Sequence, residues 1–190
     1  MKKFLASRIN FVEQSVIRKI FEKTPPNSIN LGLGEIQFPT PQIFLEYGKE
    51  VLDEGYIRYT PNAGLLELRE TIAKYYEDRI SSANICVTNG AEEAVFASIF
   101  CYVNPGEEVM LANPTFVAYE TIIKMAQGIP VYFDLNPDAG FRLDKNSFLD
   151  KLSSKTKMII LNNPSNPLGI GFSEEEIDFI LDICKKKNIL

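Results

Sequence analysis

Lys157-Met158-Ile159-Ile160-Leu161-Asn162-Asn163-Pro164-Ser165-Asn166-Pro167-Leu168-Gly169 is the stretch on which the fold turns. Its first five residues have the length and apolar run of a buried strand. The rest is a loop in which two prolines and a glycine restrict the backbone and hold out one amide side chain, that of Asn166. A helix follows, for which Ser173 and Glu176 form a capping box, while Ile177, Ile180, Leu181 and Cys184 at i, i+3, i+4, i+7 predict the buried face. Lys185-Lys186-Lys187 then sits where a helix C-terminus favours cations.

The same alternation runs upstream. Ile85 to Thr88 reads as a strand before a helix from Ala91 to Val103, and Val109 to Ala112 as a strand before a helix from Phe116 to Gln127. Ile129 to Phe133 predicts a third strand, followed by a short helix around Phe148, Leu149 and Leu152. Apolar strands alternating with amphipathic helices predict an α/β fold, a three-layer sandwich around a mostly parallel sheet. Ligands in such sheets bind beyond the carboxyl ends of the strands, so Asn89-Gly90, Asn113-Pro114 and the Asn162 to Gly169 loop are expected to converge on one crevice.

Nearer the start the pattern is looser. Ile9, Val12, Val16, Ile17 and Ile20 at helical spacing predict an N-terminal helical arm over residues 1–28, closed by Pro25-Pro26-Asn27. Residues 29–55 comprise a short extended segment and a linking helix, with Thr40 as N-cap, Pro41 in the first turn, an apolar stripe of Ile43, Phe44, Tyr47, Val51 and Leu52, and Gly55 at the end. A third helix after Gly64 carries Leu68, Ile72, Tyr75 or Tyr76, and Ile80 on one face, opening the larger domain over 56–190.

Composition narrows the chemistry. The 190 residues are 45% hydrophobic and 24% charged, an ordinary globular balance, and 20 basic against 25 acidic residues give a net charge of −5. That balance argues against a nucleic-acid surface or a polybasic membrane patch. Histidine is absent, which excludes from these residues a Ser-His-Asp triad, a Cys-His pair and an HExxH zinc site. Cys86, Cys101 and Cys184 are odd in number and contain no CxxC pair, so no metal site is expected and a reducing, cytoplasmic setting is. MKKFLASRIN makes a poor signal peptide because Arg8 interrupts the apolar stretch. The uncharged run from Ala94 to Val103 is far short of the roughly 20 residues that a membrane helix needs, so a soluble protein is expected.

Two strand ends and one turn carry the candidate chemistry. Val87-Thr88-Asn89-Gly90-Ala91-Glu92-Glu93-Ala94 aims open backbone N–H groups and the positive end of a helix dipole at one point, where a phosphate fits. A carboxylate beside a phosphate repels it, so Glu92 is a ligand only through its N–H. Phe116 suits stacking on a flat heterocycle, and Asn166 can donate to a phenolate-like oxygen. Gly32-x-Gly34-x-x-Gln37 lacks the third glycine of a dinucleotide fingerprint and opens no clear helix, which weakens a nicotinamide-dependent dehydrogenase reading.

Several segments occur in the order found in fold-type-I pyridoxal-phosphate enzymes. They are Leu31-Gly32-Leu33-Gly34-Glu35 with Phe38-Pro39-Thr40-Pro41, Arg58-Tyr59-Thr60-Pro61-Asn62-Ala63-Gly64 with Leu68-Arg69-Glu70, Asn89-Gly90-Ala91, Asn113-Pro114-Thr115-Phe116, and Asn163-Pro164-Ser165-Asn166-Pro167-Leu168-Gly169. Residues 29 to 190 thereby resemble the N-terminal portion of the class I/II aminotransferase family, which includes the aspartate and aromatic aminotransferases. The resemblance implies a large domain that binds pyridoxal 5'-phosphate, with Gly90, Ala91 and Glu92 holding the phosphate through backbone amides. It further implies Phe116 stacked on the pyridine ring, Asn166 bonded to the phenolic oxygen, and Gly34 against the substrate carboxylate. Tyr59 matches the tyrosine that reaches the neighbouring subunit's cofactor phosphate, which implies a homodimer.

The implied reaction moves an amino group between an amino acid and a 2-oxo acid. Carbon–sulfur β-elimination on the same fold and a non-catalytic binding or partner subunit are the alternatives. The family's Schiff-base lysine has no counterpart through Leu190, so no catalytic residue is assigned and these 190 residues alone are expected to be inactive. Ser154-Lys155-Thr156-Lys157 has the Ser-x-x-Lys spacing but lies where the family has a surface turn. Leu168 replaces the family's usual threonine.

Overall fold

The computed structural model describes residues 4–10, 12, 19–20, 22–25, 27–29, 34, 38–56, 58–77 and 79–190. The chain divides into two compact units, Met1–Glu13 with Gly90–Leu190, and Gln14–Asn89. In the proposed N-terminal arm, Ser7–Ile9 form a 3₁₀ turn, and Lys19 and Ile20 are helical. Val16 and Ile17 lie outside the described residues, as does most of the Leu31 to Gln37 segment.

The Gln14–Asn89 unit contains α1 (Gln42–Asp53) and α2 (Leu66–Tyr75). Pro41, rather than Thr40, occupies the N-cap of α1, and no side chain caps it. Its predicted stripe of Ile43, Phe44, Tyr47, Val51 and Leu52 is exposed throughout, and of α2 only Ala73 is buried. Arg69 donates from Nη1 to the Ser82 carbonyl at 3.0 Å, and the Val87 N–H donates to the Ala63 carbonyl at 3.0 Å. Beside that bond Gly64 has φ +94°, and a Cβ there would lie 2.7 Å from Val87 Cβ. Both the left-handed backbone and the close approach therefore require glycine. Ile85 to Thr88 is not a strand. Ile85 is extended, at φ −110° and ψ 129°, but an apolar extended run becomes a strand only with a ladder partner, and periodicity does not reveal whether one is present.

The other unit is built on a four-stranded sheet in the order β3-β2-β1-β4. Its elements are α3 (Ala91–Tyr102), β1 (Glu108–Asn113), α4 (Val117–Met125), β2 (Ile129–Asn136), β3 (Arg142–Leu143), α5 (Lys145–Lys151), β4 (Thr156–Ile160) and α6 (Glu174–Lys187). β1 pairs in parallel with both β2 and β4, and the short β3 adds antiparallel to β2. The mostly parallel α/β sheet expected from the alternation is thus present.

β1 is central and covered on both faces, and its side chains divide with the two-residue period of a strand. Val109 and Leu111 join Ile99 of α3, Ile122 and Ile123 of α4 and Met158 of β4 in one cluster. Met110 and Ala112 point the other way, joining Phe133, Leu135, Phe148 of α5 and Ile180 of α6. Each fully buried side chain of this size contributes about 1.5–3 kcal/mol. The 3₁₀ turn at Ser7–Ile9 packs on α4.

The capping box of α6 forms in full. Its buried face differs from the one expected: Ile180 is enclosed, whereas Leu181 is 45% exposed. Glu176 takes part of that face. Its carboxylate accepts from the Ser173 N–H at 2.7 Å, the Leu143 N–H at 2.7 Å and Arg142 Nη1 at 3.3 Å.

Candidate functional site

The position of the site follows from the sheet. β1 and β4 are parallel neighbours, so the loops that leave them emerge from the same end. The 12 residues of α3 span about 18 Å, close to the length of the six-residue β1. α3 is joined to the start of β1 by Val103–Glu107 and packs along it through Ile99, so its N-terminus returns to the end where Asn113 exits.

Gly90 is the N-cap of α3, with φ +84° and ψ 173°. No heavy atom lies within 4 Å of its Cβ position. The first helical hydrogen bond runs from the Ala94 N–H to the Gly90 carbonyl, leaving the Ala91 and Glu92 N–H groups as open donors of the first turn. Glu92 and Glu93 are exposed, where solvent screens their charge from an anion bound at the amides.

Phe116 is half-buried and precedes α4 in an extended conformation. Its ring meets Tyr119 edge to face, with centroids 5.6 Å apart and planes at 71°. Asn162 Nδ2 donates to the Tyr119 hydroxyl at 2.8 Å, while Asn162 Oδ1 accepts the Asn166 N–H at 2.9 Å. One carboxamide therefore joins the segment after β1 to the loop after β4. The side chain of Asn166 is exposed and has no partner among the described residues.

The Asn166 loop is held from within and from behind. The Ser165 N–H donates to the Ile170 carbonyl, and the Gly169 N–H to the Ser165 carbonyl, both at 2.7 Å. Asn163 Oδ1 accepts the Phe172 N–H at 3.0 Å, and Arg142 Nη2 donates to the Gly171 carbonyl at 2.8 Å. Leu168 packs on the Phe133–Phe148 cluster, a setting in which an apolar side chain is favoured over a threonine hydroxyl. Asn113-Pro114, Asn163-Pro164 and Asn166-Pro167 are cis. At the end of β1, Asn113 Nδ2 donates to Asp134 at 3.1 Å.

Gly90, Ala91, Glu92, Phe116 and Asn166 thus lie in one unit, at the end of the sheet expected for them. Gly34 and Tyr59 lie in the Gln14–Asn89 unit. There Gly34 has open space around its Cβ position, and Tyr59 is fully exposed. Tyr119 is the residue the sequence reading missed. Its spacing of three from Phe116 was the available signal, since i and i+3 share a face at a helix start. No cluster of metal-ligating residues occurs among the described residues.

The strand ends of this α/β unit carry a helix N-terminus, a half-buried aromatic and an exposed amide, Asn166. The profile of the family "Aminotransferase class I and II" matches residues 26–190, and the chain belongs to that family. It is 35% identical over 192 residues to an aspartate aminotransferase of Sulfolobus acidocaldarius, covering 98% of this chain and 48% of that protein. It is 38% identical over 194 residues to one of Pyrococcus horikoshii, covering 99% and 50%. Among solved structures, the aspartate aminotransferase of Thermus thermophilus with maleate superposes with a TM-score of 0.91 at 25% identity, over 97% of this chain and 51% of the other. The chain spans about half the length of the curated relatives it matches.

Proposed function

We propose that these residues are the N-terminal part of a pyridoxal-phosphate-dependent aminotransferase, which moves an amino group between an amino acid and a 2-oxo acid. The observation that carries this reading is the joined pair at the strand ends: the Phe116 ring and the Asn166 backbone N–H are tied through Tyr119 and Asn162, and the Asn166 side-chain amide has no partner among the described residues. The residues fit the cofactor. Ala91 and Glu92 would give their N–H groups to its phosphate beside the bare backbone of Gly90, where the helix dipole favours the anion. Phe116 would stack on the ring, and Asn166 would donate to its phenolic oxygen. When bound, the pyridine ring supplies an electron sink for chemistry at the substrate Cα.

In the same reading Gly34 lies against the substrate carboxylate and Tyr59 reaches the phosphate of a second subunit, so the working form is a homodimer with shared sites. No helix of the described residues is long and apolar enough to cross a membrane, and all three cysteines are free. Both features accord with a cytoplasmic enzyme.

The test is titration of the full-length protein, Schiff-base lysine included, with pyridoxal phosphate, followed by visible absorbance, and then assay of amino acids against 2-oxo acid acceptors. Cofactor binding with amino transfer is expected. Lack of a cofactor spectrum overturns the reading, and turnover of cystathionine without amino transfer replaces it with β-elimination. Tyr59→Phe should weaken cofactor binding by about 1.5–3 kcal/mol, the cost of losing a hydrogen bond to a charged group. Equilibrium dialysis measures it, and an unaltered affinity removes Tyr59 from the cofactor site.

A further inference from the structure

We propose that Asn162 is a positioning residue which, through Tyr119, fixes the Asn166 amide relative to the Phe116 ring. The inference rests on the cofactor site proposed above. Asn162 follows β4 directly and uses both ends of its carboxamide across two chain segments: Nδ2 on the Tyr119 hydroxyl at 2.8 Å and Oδ1 on the Asn166 N–H at 2.9 Å. Those bonds fix which end of the amide is nitrogen, since only the oxygen can accept a backbone N–H. Tyr119 in turn packs its ring edge to face on Phe116.

The remaining bonds of the loop stay among residues 163–172 or run back to Arg142. They stiffen the loop but do not refer it to Phe116. Of the described hydrogen bonds, the Asn162 pair alone ties Asn166 to the segment that carries the stacking aromatic. A flat ligand held by its face on one segment and by its oxygen on the other depends on that distance. An error of an ångström misaligns the donor while leaving the fold intact.

The test uses the full-length protein, Schiff-base lysine included, loaded with pyridoxal phosphate, and follows the pH titration of its visible absorption band, with dissociation constants from dialysis. Asn166→Ala removes the donor and should move the band's midpoint to higher pH, because the phenolate then holds the chromophore's proton more tightly. Asn162→Ala should move it in the same direction by a smaller step and raise the dissociation constant about three- to tenfold, as for one lost hydrogen bond. The double variant should titrate like Asn166→Ala, since Asn162 acts only through Asn166. Tyr119→Phe keeps the ring contact, removes only the hydroxyl, and should shift the midpoint in the same direction. It serves as the second reading if Asn162→Ala folds poorly.

A midpoint unchanged in both Asn162→Ala and Tyr119→Phe, or shifts of Asn162→Ala and Asn166→Ala that add in full, overturns the positioning role. A lowered melting temperature without an optical shift does the same. Failure of the unsubstituted protein to take up cofactor overturns the functional reading itself, and this inference with it.

Discussion

The two faces of the sheet hold their helices by different means. On the face that carries α3 and α4 the buried contacts are aliphatic or thioether, from Val109, Leu111, Ile99, Ile122, Ile123 and Met158, with Tyr119 and Tyr132 at the margin. On the other face Phe148 stands edge-on to Phe133 at 5.1 Å and to Phe179 at 5.8 Å, and a charged clasp joins Arg142, Glu176, Leu143 and Ser173. The first face places the open helix end and the stacking aromatic through dispersion and burial, which do not vary with pH. The second holds the return of the Asn166 loop through charge-assisted bonds, which do.

The lesson lies in the two carboxylates. Burial alone would raise the Glu176 carboxyl, but the N–H groups of Ser173 and Leu143 and the Arg142 guanidinium outweigh it and hold the group below its ordinary value. On the aliphatic face Glu120 is also held low, first by Lys124 and then by the Tyr132 hydroxyl. That pair is half-exposed and four residues apart on one helix, so it contributes only a few tenths of a kcal/mol, about 0.3–0.5. The donors gathered on the enclosed Glu176 carboxylate, not the presence of an ion pair, make one face the more sensitive to acid.

Four substitutions can break or sharpen this contrast, from the largest effect to the smallest. Phe148→Ala on the aromatic face should cost about 3–5 kcal/mol, as for a fully buried ring replaced by a cavity. Ile123→Ala on the aliphatic face should cost about 2–5 kcal/mol and should also weaken cofactor retention, because α4 follows Phe116 and carries Tyr119. Chemical denaturation with dialysis separates the two effects. Equal loss of cofactor affinity in both variants would remove the distinction between the faces.

Glu176→Gln should cost about 1.5–3 kcal/mol near neutrality, because three donors then face a group with one acceptor oxygen. The sign with pH follows from the depressed value. A carboxyl held low in the folded state stabilises it above the unfolded value, about 4.3, and that contribution is lost as pH falls through the folded value. The unsubstituted protein should therefore lose stability between neutral pH and about pH 3 more steeply than Glu176→Gln. Parallel curves in thermal melts across that range would assign the acid sensitivity elsewhere. Lys145→Ala should cost least, about 0.5–1 kcal/mol, since Lys145 makes an exposed pair with Glu175 and lies 5.0 Å from the Phe179 ring. Its melting temperature should be within a few degrees of the parent, and its acid slope unchanged.

Much of the sheet unit was legible in the sequence because its signals are local. The runs Val109–Ala112, Ile129–Phe133 and Lys157–Leu161 each mark a strand to within a few residues, and Ser173 with Glu176 marks the start of α6. The rest depended on partners distant in the chain. Ile85–Thr88 has a strand's composition but no ladder in the sheet, and the α1 stripe has helical spacing but no covering face. Leu181 has the right period on α6, yet Ile180 and the Glu176 carboxylate occupy the enclosed side. The candidate site residues stand in motifs that sequence displays, whereas the Tyr119–Asn162 bond, across 43 residues, is not visible there.

Glu176 also bears on how the unit folds. Its bond to the Ser173 N–H spans three residues and can form as soon as the helix starts, whereas its bond to the Leu143 N–H spans 33. One side chain therefore couples a local nucleation event to a long loop closure. The expected consequence is cooperative opening: the Leu143 amide should exchange with solvent only when the first turn of α6 unravels, so the two report as one unit in native-state hydrogen exchange.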